Sequence, residues 1–252
     1  MGKAGIVWAV LALVGATPAA AQVDFSGGFG TTTGLQNNGS SVFAANRIQL
    51  TQAVGSQAGS CFYTTQQNVA TFTCSFEFEF SNGSGAQADG MCFVIQRAGA
   101  TALGGTGGSM GYTGIATSVA VKFDNYPSPQ SYTGIYQNGA APGAPETQLN
   151  PGLDFHSTNV FRVDMDYDGT TLAVTITDTA TAATASQNYT IDIPTVIGGN
   201  TAFVGFTAGT GGQVAIHEII RWTFFNAPAA PATLSATQNQ MGSITLNWAA
   251  VA

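Results

Sequence analysis

Cationic side chains are scarce in this chain: six Lys and Arg stand against thirteen Asp and Glu in 252 residues. A nucleic-acid partner needs a basic footprint to neutralise phosphates, so that class is disfavoured, and the same acidity argues against an anionic membrane surface. Histidine is nearly missing as well. The two present, His156 and His217, lie far in sequence from the three cysteines, whose spacing matches no zinc site. Long apolar runs are absent: residues 6–14 are too few to span a bilayer and no later candidate follows. Helical periodicity is almost lacking. What the chain does have is thirty-two Gly and many Thr, Ser, Asn and Gln, through which Val, Ile, Phe and Tyr recur in regular alternation. That alternation marks an ordered all-β protein rather than a disordered polar chain.

The N-terminus reads as a processing signal. Lys3, the short apolar run and then Pro18 with Ala19-Ala20-Ala21 have the layout of a secretory leader cleaved after Ala21. Residues 1–21 are therefore expected to be removed and the mature chain to be exported, free outside the cell or at its surface, without membrane insertion. Export makes Cys61, Cys74 and Cys92 candidates for disulfide chemistry, with one left over. Cys61 with Cys74 is the first choice, because a short connection would set their strands side by side. Cys74 with Cys92 stays open, as do three buried free thiols.

Residues 23–52 read as short strands broken at Gly27-Gly28 and at Asn37-Asn38-Gly39. In residues 72–81, Cys74, Phe76, Phe78 and Phe80 alternate with Thr73, Ser75, Glu77 and Glu79, which predicts a strand with one buried and one polar face. Residues 161–177 predict a hairpin about a two-residue Asp168-Gly169 turn, with Met165 opposite Leu172, Val163 opposite Val174 and Phe161 opposite Ile176. Two further strands, 202–206 and 216–225, flank a loop at 207–213, with Ile220, Trp222 and Phe224 on the buried face. The expected domain is thus residues 22–226, a two-sheet antiparallel sandwich. Beyond it the composition shifts to a Pro/Ala linker. Residues 234–237 and 244–248 look like the first two strands of another β module, and Trp248 resembles the early core tryptophan of fibronectin type III domains. Two strands cannot bury a core, so 227–252 is expected to be a linker and the truncated start of such a module, with further modules beyond residue 252.

Three constellations carry chemistry. Asp164-Met165-Asp166-Tyr167-Asp168-Gly169 matches the opening of a calcium loop, but Thr175 stands where a bidentate Glu is required and the flanks alternate as strands, so the hairpin reading prevails. Glu77 with Glu79, and Asp164 with Asp166, have the two-residue spacing of sandwich glycosidase carboxylates; both pairs also fit the polar face of an ordinary sheet. The third is the stretch 88–128, two strand-like runs at 91–95 and 119–126 joined through a glycine segment at 103–112. Those glycines lack a P-loop lysine and lead to a strand, which disfavours phosphate. Glycine permits close approach of backbone N–H donors to a ligand, and Asp89 supplies an acceptor-only carboxylate. Together they suit a neutral polyhydroxyl compound, whose hydroxyls donate to one and accept from the other.

Ala88-Asp89-Gly90-Met91-Cys92-Phe93, Gly107-Gly108-Ser109-Met110-Gly111, residues 119–124, and Val204-Gly205-Phe206-Thr207 followed by residues 217–224 occur in the order seen in legume-type (L-type) lectins. From about residue 23 to 225 the chain resembles a bacterial member of that superfamily. The resemblance implies a concanavalin-like jelly roll that binds a glycan or polysaccharide at one end, without catalysis. It implies that Asp89, after a cis peptide, accepts hydrogen bonds from two sugar hydroxyls and that Gly108 is the backbone donor. Tyr126 falls where an aromatic ring packs on the sugar face, and Gly212 and Gln213 fall in the loop that tunes specificity. Ser128 stands where the family carries a sugar-binding asparagine; serine is shorter and has no amide donor.

The family's metal support also departs. Legume lectins hold a transition metal and calcium with a glutamate and an aspartate two apart on this strand; here Lys122 replaces the glutamate, Asp124 remains, and Tyr132 is near the expected histidine. Lys122 is expected to take part of the vacated cation space and neutralise Asp124, since residues two apart share a strand face; a surface Lys with no such role is the alternative. No cofactor is required on this reading, and calcium is left open. The rivals to a secreted lectin are a sandwich glycoside hydrolase and a structural or adhesion module with a degenerate sugar site.

Overall fold

The structure, a computed structural model, describes residues 23–83 and 86–226 and, as strands only, 234–238 and 244–248. The leader expected at 1–21 lies outside the described residues. In chain order the elements are β1 (Val23–Phe25), β2 (Leu35–Gly39), β3 (Val42–Ala44), β4 (Arg47–Thr51), β5 (Ala58–Tyr63), β6 (Gln67–Asn68), β7 (Phe72–Ser81), β8 (Gly90–Gln96), β9 (Ser118–Asp124) and β10 (Tyr132–Gln137). There follow β11 (Thr147–Gln148), β12 (Phe161–Tyr167), β13 (Thr171–Asp178), β14 (Thr184–Thr190), the short helix α1 (Ile193–Ile197), β15 (Thr201–Gly209), β16 (Ile216–Asn226), β17 (Leu234–Gln238) and β18 (Ile244–Trp248).

Two antiparallel sheets form the sandwich. The back sheet runs β14-β13-β12-β7-β16-β4-β3, with β1 also on β16; the front sheet runs β11-β10-β9-β8-β15-β5-β2, with β6 also on β15. Between them lies an aromatic core. Phe76 meets Phe93, Phe123 and Phe206 across the sandwich at centroid separations of 5.0–5.8 Å, and Trp222 meets Phe206 edge-on at 5.0 Å. Truncating one such ring to Ala costs about 3–5 kcal/mol. The alternation in β7 is complete, every second residue from Phe72 to Phe80 being buried.

A second, smaller core covers the outer face of the front sheet: Met110 and Tyr112 from the glycine segment, and Ile115 just after it, pack with Phe62, Cys92, Val94, Ala120 and Tyr136. For this reason β8 and β9 are buried on both faces, and such strands read in sequence as near-continuous apolar runs instead of alternating ones. The glycine segment is therefore laid over a packed surface.

Four expectations need correction. The hairpin register is shifted by two: Tyr167 faces Leu172, Met165 faces Val174 and Val163 faces Ile176. The turn is wider because Asp168 Oδ1 accepts from the N–H groups of both Thr170 and Thr171, at 2.7 Å each, around Gly169 at φ +101°. A shift of two preserves the side facing the core. Asn37-Asn38-Gly39 does not break a strand but belongs to β2, where the Asn38 amide donates to Ser60 Oγ and Ala100 O. Ile220 leaves the core face because a bulge between Ile219 and Arg221 resets the register of β16, so Ile219 is buried in its place. Finally, the three cysteines are free. The connection after β5 crosses to the other sheet through β6, which puts Cys61 and Cys74 on opposite sheets, and Cys92 belongs to the outer core. Burial pushes all three thiols up.

The strands β17 and β18 pair with each other, Leu234 opposite Trp248. The rest of 227–252, where the linker was expected, lies outside the described residues.

Candidate functional site

Asp89 sits at the end of the front sheet, just before β8. The Ala88–Asp89 peptide is cis. The Asp89 N–H donates to Gly209 O at 3.2 Å, and its own carbonyl accepts from the Asn125 N–H at 3.1 Å, so β15 on one side and the end of β9 on the other hold its backbone. The next residue must be glycine: Gly90 has φ +148°, and a Cβ there would come within 2.4 Å of Phe123 O.

The carboxylate held by this frame is buried, with 8% of the residue exposed, and its Oδ2 has no hydrogen-bond partner. Burial raises the Asp89 carboxyl above its ordinary range, and the nearby Gly211 N–H offsets part of that. Three glycines line it. A Cβ on Gly108 or Gly107 would lie 3.8 Å from Asp89 Oδ1 or Oδ2, and one on Gly211 only 3.3 Å from Oδ2. Gly107 is fixed to the neighbouring loop by its N–H bond to Thr210 O at 2.9 Å. Gly108 is exposed, and its N–H makes no hydrogen bond among the described residues. Beside them Asn125 is fully buried with Oδ1 unpartnered. An acceptor and an unpaired backbone donor thus lie close together, with buried polar atoms unsatisfied beside them, which is an arrangement that a hydroxyl-bearing ligand would complete.

The other expected positions are placed less tightly. Tyr126 is 47% exposed, and its N–H donates to Asp124 Oδ1 at 2.8 Å. Ser128 is half-buried in the following loop. Gly212 and Gln213 are exposed, with open space around Gly212; the loop brings Gly211 against Asp89 instead. The sequence reading gave no site role to Gly211, Gly107 or Asn125, although each adjoins a residue to which it did give one.

Beside this rim lies a charged cage. Lys122, on the outer face of β9, is 0% exposed. Its ammonium donates to Asp124 Oδ2 at 2.9 Å, to Pro142 O at 2.8 Å and to Glu146 Oε2. The rings of Tyr132 and Tyr136 flank it at 5.9 and 5.6 Å. Burial alone would lower the Lys122 pKa, but attraction to Asp124 and hydrogen bonds to Glu146 and Asp124 outweigh it and hold the ammonium above its usual range. The expected pairing of Lys122 with Asp124 is present, and the surface-lysine alternative is not. Glu146 went unnoticed in the sequence; it arrives from the β10–β11 connection, twenty-four residues away.

The carboxylates weighed as glycosidase or calcium groups lie elsewhere. Glu79 pairs with Arg47 at 2.8 Å, Glu77 with Arg221 at 3.5 Å, and Asp164 with Arg162 at 2.8 Å while accepting from Ser75 Oγ. All are on the back sheet. Asp164 and Asp166 border a depression of about 320 Å³ lined by Thr73, Ser75 and Thr175. Among the described residues no cluster of three or more His, Cys, Asp or Glu is arranged to hold a metal.

The family model described as the legume lectin domain matches residues 22–240. The solved structure of a lectin from Bauhinia forficata in complex with GalNAc is similar with a TM-score of 0.72 and 19% identity, covering 82% of this chain and 98% of that one. The metal-free form of lectin I-B4 from Griffonia simplicifolia matches with a TM-score of 0.71 and 19% identity, over 81% of this chain and 99% of that one. Basic winged bean lectin with Tn-antigen matches at 0.69 and 20% identity, over 80% and 96%.

Proposed function

Because the chain belongs to the legume lectin domain family, we propose that it is a secreted, non-catalytic carbohydrate-binding domain that reads a glycan at the Asp89 rim. The observation that carries this is the buried Asp89 carboxylate with an unpartnered Oδ2, beside the glycines Gly107, Gly108 and Gly211. The carboxylate accepts from two sugar hydroxyls and Gly108 donates to one. The Tyr126 ring packs on the apolar face of the sugar, and the Gly212-Gln213 loop borders it. Ser128 reaches the sugar only through water. Single-site affinity is weak, and avidity from further modules would raise it. The hydrolase alternative loses ground because three of its four candidate carboxylates, Glu77, Glu79 and Asp164, are tied to arginines on the other sheet.

GalNAc and the Tn-antigen, bound by two of the similar lectins, are the first probes to include on a glycan array. Wild type is expected to bind a restricted set of glycans, and Asp89→Ala to lose them. Binding of unchanged strength after that substitution would remove this rim from consideration.

A further inference from the structure

The cage around Lys122 is saturated. An ammonium has three N–H donors, and Asp124, Pro142 O and Glu146 take all three. Tyr136, one wall of the cage, also donates through its hydroxyl to Gly143 O and, at 3.1 Å, to Pro145 O. The connection between β10 and β11 is thereby tied down at three points: Pro142, the Gly143–Pro145 carbonyls, and Glu146. On the other side Asp124 is shared: Oδ2 holds Lys122, and Oδ1 holds the Tyr126 N–H at 2.8 Å. Asp124 also lies opposite Gly90 in the β8–β9 ladder, next to Asp89.

The transition-metal and calcium site implied by the family does not fit these residues. Calcium takes six to eight oxygen ligands. Here the lysine side chain fills the space between Asp124 and Glu146, and two aromatic rings wall it. We propose that the Lys122 ammonium is the chain's own tethered cation: it cross-links Asp124 to the β10–β11 connection and, through Asp124, positions the Tyr126 backbone at the rim without a divalent ion. Only its consequence for glycan binding rests on the lectin reading; the cross-link itself does not.

The test uses the full chain and two readouts that need no glycan: thermal midpoint and amide exchange at Tyr126. Wild type is expected to melt at the same temperature in EDTA and in millimolar calcium with manganese. Lys122→Met should melt about 10 °C lower, since one partner of a buried ion pair is removed, and its Tyr126 amide should exchange at least about tenfold faster. Glu146→Gln, at a carboxylate whose side chain is 29% exposed, should move both in the same direction by less, and it carries the test if Lys122→Met does not fold. A wild-type midpoint that rises with calcium and manganese, or variants that leave both readouts unchanged, would overturn the tethered cation. Glycan binding abolished by EDTA would do the same while leaving the lectin reading intact; metal-indifferent stability with no glycan bound would sink the lectin reading and leave the cross-link standing.

Discussion

Two carboxylates, Asp89 just before β8 and Asp124 at the end of the neighbouring strand β9, stand at the same end of the front sheet and are treated in opposite ways. Asp124 is saturated: a buried ammonium on one oxygen and a backbone N–H on the other. Asp89 is equally withdrawn from solvent, at 8% against 6% exposure, yet one of its oxygens has no partner. Burial of an unsatisfied charge costs stability as it stands, whereas in a satisfied buried pair the large cost appears when one partner is removed. The same residue type, a few ångströms of backbone apart, is thus a fastener in one place and, on the lectin reading proposed above, a receptor in the other.

The sharpest way to break this contrast is to neutralise each carboxylate in turn. Asp124→Asn should lower stability by about 3–5 kcal/mol, because Lys122 is left under-compensated. Asp89→Asn should leave the midpoint unchanged or raise it while abolishing glycan binding. Equal losses of stability in the two variants would show that Asp89 is structural.

Acid is the next test. A carboxyl raised above the ordinary 3.8 binds its proton more tightly in the native state than in the unfolded chain, so the fold loses stability as pH rises from the ordinary carboxyl range through the native value. The advantage of Asp89→Asn should therefore be present at neutral pH and vanish in acid below that range. Binding, which needs the carboxylate, should fall on acidification with a midpoint above 3.8. Titration of glycan binding by calorimetry at several pH values measures this directly, and a midpoint at or below the ordinary value would contradict the burial argument.

The smallest expected effect is at Ser128. Ser128→Asn supplies a longer side chain with an amide donor, worth about 0.5–1.5 kcal/mol if it closes one neutral hydrogen bond. A several-fold gain in affinity at an unchanged midpoint would place that loop at the sugar; no gain would leave Asp89 and Gly108 as the polar contacts.

The sandwich was legible because its signals are local. The alternation of β7 and the continuous runs of β8 and β9 each report their own burial. Asp89 and the adjacent glycine segment were legible as a group because their motif order is shared with lectins, and the structure does bring Asp89, Gly107 and Gly108 together. What escaped depended on distant partners. Glu146 meets Lys122 only because the β10–β11 connection folds back over β9. The turn at Asp168 widened through side-chain bonds that no alternation encodes. The bulge beside Ile220 is visible only against its partner strand, and the separation of Cys61 from Cys74 depends on which sheet each strand joins.

The open space around Gly212 has its own consequence. A Cβ there would meet nothing within 4 Å, whereas one on Gly211 would crowd Asp89 Oδ2 at 3.3 Å. Adjacent positions therefore differ in mutational freedom: residue 211 is bound to the geometry of the carboxylate, and residue 212 can vary without touching the fold. On the lectin reading proposed above, selection, natural or in the laboratory, can diversify the rim at residue 212, one residue away from a glycine that the Asp89 carboxylate constrains.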